Sequence, residues 1–381
     1  MKKIIHITYE NVYKNGILVA MVLKPAILIA EKFKINIIIT SAVKEGEDNE
    51  IYHINKKKLT SKYVNVIEFK KTIGKNQSLF SFFTDVFSQI KFLSKNINSN
   101  DLVHARGYGG AFIASILKII KCNKWIFDIR GTLPEETVDV GKIKRLSFKY
   151  LLLKISELFF LRFSNHVIAV SKKMKLHFQK YTSNKITVIR NPTTLNNYPI
   201  RLKRNKKIKK IVYLGSFQNW HLPEQTFKII KDISEILNNS VEVMVLTSDI
   251  EKANFFLENA DMSCDVTIKT LSYDEIPKEL VKHDLAFCLI KPTFSKSVCM
   301  PVKFNEYLAA GLFIIANRKI GDLEEIINKN SGLILDDMDS SKNAKSIINN
   351  YNSIIDMSTL PNDLFWDKGA LKILLELYNL K

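Results

Sequence analysis

Short runs of apolar, mostly β-branched residues recur along the chain, and each is followed by a stretch with helical periodicity. In the first half these runs are KIIHIT, INIIIT, DLVHAR, KWIFDIRG and HVIAVS, with helical stretches such as AFIASILKII between them. Continuous apolar strands separated by helices predict a parallel sheet built from βαβ units. No other feature of the sequence constrains the fold as strongly.

The same alternation of strands and helices recurs in the second half. The predicted strands are KIVYLGS, VEVMVLTS, VTIKTL, LAFCLI and FIIAN, and EQTFKIIKDISEIL is a predicted helix between the first two. Between the halves lies RLKRNKKIKK, residues 201–210, with seven basic residues in ten. A charged segment with little to bury predicts a linker. A length of 381 residues also suits two domains. We therefore predict an α/β protein with two doubly wound, Rossmann-like domains, 1–200 and 211–362.

The charge balance restricts the partners. Lys and Arg number 57 against 38 Asp and Glu, a net charge of +19. Such a field attracts phosphorylated small molecules, acidic membrane surfaces or nucleic acid. No recognised nucleic-acid-binding pattern accompanies the charge, so we expect no nucleic-acid partner. The four cysteines are scattered without a CxxC pair, which argues against a zinc site or a disulfide framework and favours a reducing cytosol.

No apolar run is long enough to span a membrane, and the apolar run at the N-terminus is too short for a signal peptide. We expect a soluble or peripheral protein. The segment GKIKRLSFKYLLLKISELFFLRF, residues 141–163, mixes basic residues with a broad apolar face, as interfacial helices do. A long domain helix with its apolar face in the core explains the same pattern, and both interpretations stay open.

PVKFNEYLAAGLFIIAN, residues 301–317, combines a polar helix start with a buried strand. If Pro301 is the first helical residue, Lys303 and Glu306 are neighbours on one face. The uncapped N–H groups and Lys303 would suit a diphosphate, and Glu306 would accept hydroxyl hydrogen bonds. On local chemistry alone, a surface salt bridge on an amphipathic helix is the better explanation.

Five segments in the same order resemble family 4 glycosyltransferases. SVCMPVKFNEYLAAGLFIIAN is similar to their donor-binding helix, WIFDIRGTLPEE to a first-domain segment, and IVYLGSFQNWHLPE to the strand–Gly loop that opens their second domain. HVIAVSKKMKLHFQKY with KITVIRNPTTLNNY, and WDKGALKILLELY, complete the resemblance. It implies the GT-B fold: two domains that face each other across a cleft, with a C-terminal helix, 363–381, that returns to the first domain.

The resemblance also implies a nucleotide-sugar donor site. Glu306 matches a ribose ligand and Lys303 a ligand of the leaving diphosphate, which makes Lys303 a catalytic candidate. Gly215 and Ser216 lie in the loop that contacts the donor, and Arg190 is a further candidate for the diphosphate.

Three positions depart from the family pattern. Val298 stands where a sugar-binding Glu is usual, and Ser216 and His221 stand where Arg and Lys are usual. These departures leave turnover open. A catalytically silent nucleotide-sugar-binding subunit of a glycan assembly complex is therefore the alternative.

Three residues of the first domain are also candidates. Arg130 matches the strand end where many relatives have His, and either binds phosphate or sugar hydroxyls or forms an ion pair with Asp128 or Glu135. Glu135 is a candidate catalytic base or acceptor-ordering residue, although glutamates on loops are often merely solvated. Gly16 permits a close approach to the donor or serves as a simple turn glycine.

The carboxylates of GLILDDMD, Asp336, Asp337 and Asp339, are arranged as in metal-dependent transferases of another fold. Their position near the end of the second domain favours a solvated loop, so we expect no metal. The resemblance implies retention at the anomeric carbon and no cofactor beyond the donor, with UDP-sugars favoured over GDP-sugars. We predict a glycosyltransferase that builds a cell-surface polysaccharide or lipid-linked glycan at the cytoplasmic face of the cell membrane.

Overall fold

The computed structural model describes residues 3–14, 16–44, 46–47, 50–71, 79–199, 205–337, 339–353 and 360–380, and only the backbone of residues 51 and 79–83. The chain divides into two compact units. Unit 1 comprises Met1–Arg190 with Ala370–Lys381, and unit 2 comprises Asn191–Gly369.

Unit 1 is built on one parallel sheet. Its strands are β1 (Ile4–Ile7), β2 (Ile37–Lys44), β3 (Val64–Lys71), β4 (Leu102–Arg106), β5 (Lys124–Asp128), β6 (His166–Ala169) and β7 (Ile186–Val188). They pair in the order β3-β2-β1-β4-β5-β6-β7. Its helices before the boundary are α1 (Gly16–Leu18), α2 (Lys24–Phe33), α3 (Glu50–Lys58), α4 (Leu79–Asn96), α5 (Gly107–Lys121), α6 (Leu133–Asp139), α7 (Phe148–Phe163) and α8 (Lys172–Phe178). A π-helical segment, Val19–Leu23, joins α1 to α2.

Unit 2 repeats this architecture with six strands. They are β8 (Lys210–Leu214), β9 (Glu242–Leu246), β10 (Asp265–Lys269), β11 (Leu285–Cys288), β12 (Phe313–Asn317) and β13 (Gly332–Leu335). They pair in the order β10-β9-β8-β11-β12-β13, again all parallel. Its helices are α9 (Pro223–Ile236), α10 (Ile250–Ala260), α11 (Ile276–Leu280), α12 (Phe294–Ser297), α13 (Val302–Ala309), α14 (Leu323–Ile326) and α15 (Ser340–Asn352).

The burial of each strand follows its place in the sheet. Every residue of the central strands β11 and β12 is buried, as expected for strands covered by helices on both faces. The edge strands β3 and β10 alternate between half-buried and exposed residues. The apolar-run pattern does not predict β3, because an edge strand needs only one face covered and so lacks a continuous apolar run.

In both sheets the strand order reverses beside the first strand, between β1 and β4 in unit 1 and between β8 and β11 in unit 2. Parallel sheets of this kind bind ligands in the crevice beyond the carboxyl ends of the strands at such a reversal. The topology therefore marks one edge of each unit where side chains can meet a ligand.

The division between the units differs from the predicted one. It falls at Arg190 and Asn191 instead of at residue 200, because residues 191–199 pack on unit 2. The side chain of Asn191 donates to the carbonyl of Met300 at 2.6 Å, and the amide of Leu195 donates to Asp367 at 2.9 Å.

The predicted linker, 201–210, is described only in its second part. Its residues 201–204 lie outside the described part of the chain. Its second part belongs to unit 2, because Ile208 is buried and Lys210 begins β8. Asp284 accepts hydrogen bonds from the amides of Lys209 and Lys210, which fixes this segment to the sheet.

The last helix, α16 (Leu371–Tyr378), belongs to unit 1, whereas the preceding residues up to Gly369 belong to unit 2. The Tyr378 hydroxyl is 2.9 Å from Nε2 of His6 and 2.7 Å from Nδ1 of His104. The two histidine rings stack with centroids 4.5 Å apart. The return of the C-terminal helix to the first unit, and the doubly wound parallel α/β class, are confirmed.

Candidate functional site

The candidate site lies at the strand reversal of unit 2, where β8 and β11 end. Gly215 follows β8 with φ of 140°, a conformation that favours glycine. His221, in the same loop, forms a β-bridge with Ile290, which follows β11. Asn317 at the end of β12 holds Ile290 through two hydrogen bonds of 2.9 Å, one to the backbone N–H and one to the carbonyl. These contacts fix the loops around the reversal.

Helix α13 is anchored at this edge. Tyr307 bonds the end of β8, since its hydroxyl accepts from the amide of Leu214 at 2.8 Å. The side chain of Asn305 donates to the carbonyl of Asn191 at 2.9 Å. Pro301 is the N-cap rather than the first helical residue, with ψ of 128°, and no side chain caps the helix. The amide of Phe304 donates to the carbonyl of Pro301 at 3.3 Å, whereas the N–H groups of Val302 and Lys303 carry no side-chain cap, an arrangement that suits an anionic ligand.

Lys303 is buried, with 7% of its surface exposed. Its Nζ lies 3.2 Å from Nδ1 of His221 and 4.7 Å from the centre of the Tyr213 ring. A Cβ atom on Gly215 would stand 3.8 Å from this Nζ, so the glycine leaves space beside the ammonium. Burial lowers the pKa of Lys303. Among the residues that the structure describes, no carboxylate lies within ion-pair distance of Lys303, so the surface salt bridge with Glu306 is not formed.

His221 is held as a neutral imidazole. Burial lowers its pKa to about 2, and the charges of Lys303 and Lys296 add to the effect. Because an ammonium can only donate, Nδ1 of His221 accepts from Lys303, and the neutral ring then carries its proton on Nε2. Nearby, Nζ of Lys296 lies 4.5 Å from the centre of the Trp220 ring. The site thus contains two buried lysines around a neutral histidine.

Glu306 lies one turn deeper in α13 and is also 7% exposed. Burial raises the pKa of its carboxyl to about 7, although the charge of Lys303 acts in the opposite direction. Burial raises the pKa values of Tyr198 and Tyr273, and the charge of Glu306 raises them further, which places both phenols near this carboxyl. A carboxyl group with such a pKa is costly to ionise unless a ligand donates hydrogen bonds to it.

Of the predicted donor-site residues, the structure brings together Lys303, Glu306, Gly215 and Ser216. The carbonyl of Ser216 accepts from the Tyr213 hydroxyl at 3.2 Å. Arg190 is buried at the end of unit 1, and Gly16 begins α1 in the same unit.

Arg130 forms the ion pair that was one of its two interpretations. Its Nε and Nη2 lie 2.8 and 2.6 Å from Oδ2 of Asp128. The same oxygen is 3.2 Å from Nε2 of His104 and 3.4 Å from Nη1 of Arg106. Burial alone would raise the pKa of Asp128, but the surrounding cations outweigh it and hold the pKa below its usual range.

Glu135 is not on a solvated loop. It is a buried residue in the first turn of α6, 6% exposed. Its Oε1 accepts from Lys154 and from the hydroxyl of Tyr150, both at 3.1 Å. Lys154 also pairs with Glu157. The carboxylates of this region are thus bound to partners on α7.

The three carboxylates of the predicted acidic loop are engaged by neighbouring groups. Asp336 pairs with Arg318, and Asp337 lies 3.5 Å from the ammonium of Lys342. Asp339 caps α15 by accepting from the backbone of Lys342. Among the described residues, no group of three or more histidine, cysteine or acidic side chains is arranged to hold a metal ion.

Sequence reasoning missed several site residues. Tyr213 and Trp220 are far along the chain from Lys303 and Lys296, the lysines that they contact, and they meet only because β8 and β11 are neighbours in the sheet. Their aromatic and basic character carries no spacing signal. His221 was noted as a departure from a pattern, but its contact with Lys303 follows only from the fold.

No protein-family model matches the sequence, and no curated protein is similar to it in sequence. Among solved structures, sucrose-phosphate synthase from Thermosynechococcus elongatus gives a TM-score of 0.72 at 13% identity, over 100% of this chain and 98% of that one. HepE of Anabaena in complex with UDP-glucose gives 0.64 at 13% identity, over 91% and 89%. The lipopolysaccharide outer core galactosyltransferase WaaB gives 0.64 at 12% identity, over 99% and 99%. These similarities show the GT-B fold, as predicted.

Proposed function

We propose that the protein is a glycosyltransferase that uses a nucleotide-sugar donor bound at the strand reversal of unit 2. The observation that carries this proposal is the pair of buried ionisable groups, Lys303 and Glu306, one helical turn apart on α13. Buried charges are retained where they have partners or where a ligand supplies them. A nucleoside diphosphate supplies an anion for Lys303 and ribose hydroxyls for Glu306.

The leaving diphosphate would meet three kinds of donor. They are the ammonium of Lys303, the uncapped N–H groups of Val302 and Lys303 that begin α13, and the Nε2–H of His221. Negative charge grows on the diphosphate as the glycosidic bond breaks, so these fixed donors stabilise the transition state more than the ground state. In this proposal His221 supplies a neutral hydrogen bond where the family pattern has a cation, and Lys303 supplies most of the positive charge.

The donor would be a UDP-sugar, and the acceptor a growing cell-surface polysaccharide or lipid-linked glycan. HepE was solved with UDP-glucose, and WaaB is named a lipopolysaccharide outer core galactosyltransferase, which supports this choice. The resemblance to family 4 favours retention at the anomeric carbon. Arg130 and Glu135 are engaged in ion pairs inside unit 1, and we assign them a structural role.

The second candidate function is that of a nucleotide-sugar-binding subunit without turnover. Val298 is apolar and buried where the family pattern has a sugar-binding Glu, which favours a binding subunit without turnover. Two experiments separate the functions. A thermal-shift panel of UDP-, GDP- and CMP-sugars identifies the donor, because a ligand at 100 times its Kd stabilises by about 2.7 kcal/mol. Release of nucleotide from that donor with lipid-linked glycan acceptors then supports transfer, whereas donor binding without release supports the silent subunit.

A further inference from the structure

We propose that the outer face of α7, with the segment before it and the end of α5, binds the surface of a membrane that contains anionic lipids. This face lies in unit 1, and the inference rests on exposure and charge there. It does not depend on the donor site in unit 2 or on glycosyl transfer.

One stripe of α7 is apolar and exposed. Phe148 is 81% exposed, Ile155 64% and Phe159 46%, and Leu151 and Leu152 are nearly half exposed at 45% and 49%. Their spacing places all five on one side of the helix. Leu146, just before the helix, is 73% exposed. Soluble surfaces rarely collect this many large apolar side chains on one helix face.

The opposite side of α7 already provides its core contacts. Phe160 and Leu161 are buried there, as are Tyr150 and Glu157. The helix is therefore packed in unit 1 through one face while the apolar stripe points away from it. The core-helix interpretation of residues 141–163 explains the buried side only.

Basic residues flank the exposed apolar stripe of α7. Residues 141–163 contain Lys142, Lys144, Arg145, Lys149, Lys154 and Arg162, and their one acidic residue is Glu157. Glu157 is buried and paired with Lys154, so the remaining five cations face solvent without an acidic residue from this segment beside them. Exposed apolar side chains beside basic ones match the boundary between acyl chains and anionic headgroups.

The end of α5 extends this surface. α5 and α7 connect successive strands in the same direction across the sheet, so right-handed connections place them in one layer. Lys118 joins the two helix ends, since its Nζ donates to the carbonyl of Phe163 at 2.6 Å. Next to it, Ile119 and Ile120 are 69% and 53% exposed.

Charge distinguishes a membrane from a second copy of the chain. A symmetric dimer through this face would place the same patch on both subunits and bring its cations against one another. An anionic lipid surface instead offers negative charge over the whole face and an apolar layer for the stripe. A dimer or a protein partner remains an outcome of the test.

The test is flotation of the full chain with phosphatidylcholine vesicles, with and without about one third phosphatidylglycerol. We expect binding to the anionic vesicles only, with release at high salt. The double variant Phe148→Ser, Ile155→Ser and the double variant Lys144→Glu, Arg145→Glu should each lower the partition coefficient about tenfold or more. All four side chains are exposed, so folding should be unaffected.

The matched controls carry the same changes on unit 2. They are two double variants of exposed residues, one Ile250→Ser with Phe255→Ser and the other Lys228→Glu with Lys252→Glu. Each should leave the partition coefficient within about twofold of the wild-type value. Equal binding to both vesicle types, or no binding to either, would overturn the proposal. A wild-type dimer that the Phe148→Ser, Ile155→Ser variant converts to monomer, without vesicle binding, would assign the face to self-association instead.

Discussion

The two units share a doubly wound parallel sheet, but they differ in how their buried ionisable side chains are paired. In unit 1, Asp128 is surrounded by Arg130, Arg106 and His104 at distances of 2.6 to 3.4 Å. In unit 2, Lys303 and Glu306 are equally buried, yet the Lys303 ammonium contacts two uncharged rings, those of His221 and Tyr213.

The difference separates a structural cluster from a candidate binding site. A buried carboxylate with several cationic partners is already stabilised and needs no ligand. A buried lysine beside a neutral histidine, and a carboxyl whose pKa burial has raised to about 7, are costly in the unliganded protein. The account therefore expects substitutions in unit 1 to change stability, and substitutions on α13 to change ligand binding or turnover.

The largest effect is expected from Asp128→Ala. Asp128 is the buried member of this cluster, and removing its carboxylate takes away an anion that the half-buried guanidinium groups of Arg106 and Arg130 contact, so the free energy of unfolding should fall by about 3–5 kcal/mol. Denaturant unfolding measures it. Asp336→Ala, which breaks an exposed ion pair with Arg318, is the matched control and should cost less than about 1 kcal/mol. Unchanged stability with lost nucleotide binding would place the ligand site in unit 1.

Lys303→Ala should lower kcat by about 10²–10³, while the donor Kd rises less, because the ammonium acts mainly on charge that develops in the transition state. Steady-state kinetics with the identified donor give the change in kcat, and equilibrium titration gives the change in the donor Kd. Lys303→Arg should rescue only in part, since a planar guanidinium does not replace a compact ammonium. Lys345→Ala, on an exposed residue of α15 in unit 2, is the control. A loss carried wholly by KM would make Lys303 a uniform binding residue.

Glu306→Ala should weaken UDP binding by about 1.5–3 kcal/mol, the magnitude of hydrogen bonds to a charged group. The melting temperature of the unliganded protein should stay the same or rise, because a costly buried carboxyl is removed. Calorimetry and thermal unfolding measure the two effects. Glu279→Ala, which removes a carboxylate paired with Lys282, should leave UDP affinity unchanged. Loss of stability with intact affinity would make Glu306 structural.

The pH dependence gives a smaller effect. The pKa of Glu306 is about 7 in the folded protein, against 4.5 for an unperturbed carboxyl. Between pH 4.5 and about pH 7, Glu306 is therefore protonated in the folded protein but ionised in the unfolded chain. Because the folded state binds one more proton, the contribution of Glu306 to stability falls as the pH rises through this window. Ribose hydroxyls favour the ionised form, so affinity for the donor should rise about fivefold from pH 6 to 7. Glu306→Gln should remove this rise; a rise that persists would assign it to another group.

The sequence predicts the sheets well, because parallel strands such as β11 and β12 are buried on both faces and appear as continuous apolar runs. It fails at the edge strand β3 and at the unit boundary, where Asn191 and Leu195 bond to residues far along the chain. Lys303 and Glu306 were predicted from one helix start. Their burial was not, since it depends on how α13 packs against β8.

The central claim is that α13 and the loop after β8 bind a nucleoside diphosphate. It is tested most directly by calorimetric titration of UDP into the full chain and into the double variant Lys303→Ala, Glu306→Ala. The account predicts saturable binding to the wild type and a loss of about 100-fold or more in the variant, with the Lys345→Ala, Glu279→Ala control unchanged. Equal affinity in the wild type and the double variant, or no binding of UDP, GDP or CMP to the wild type, would contradict it.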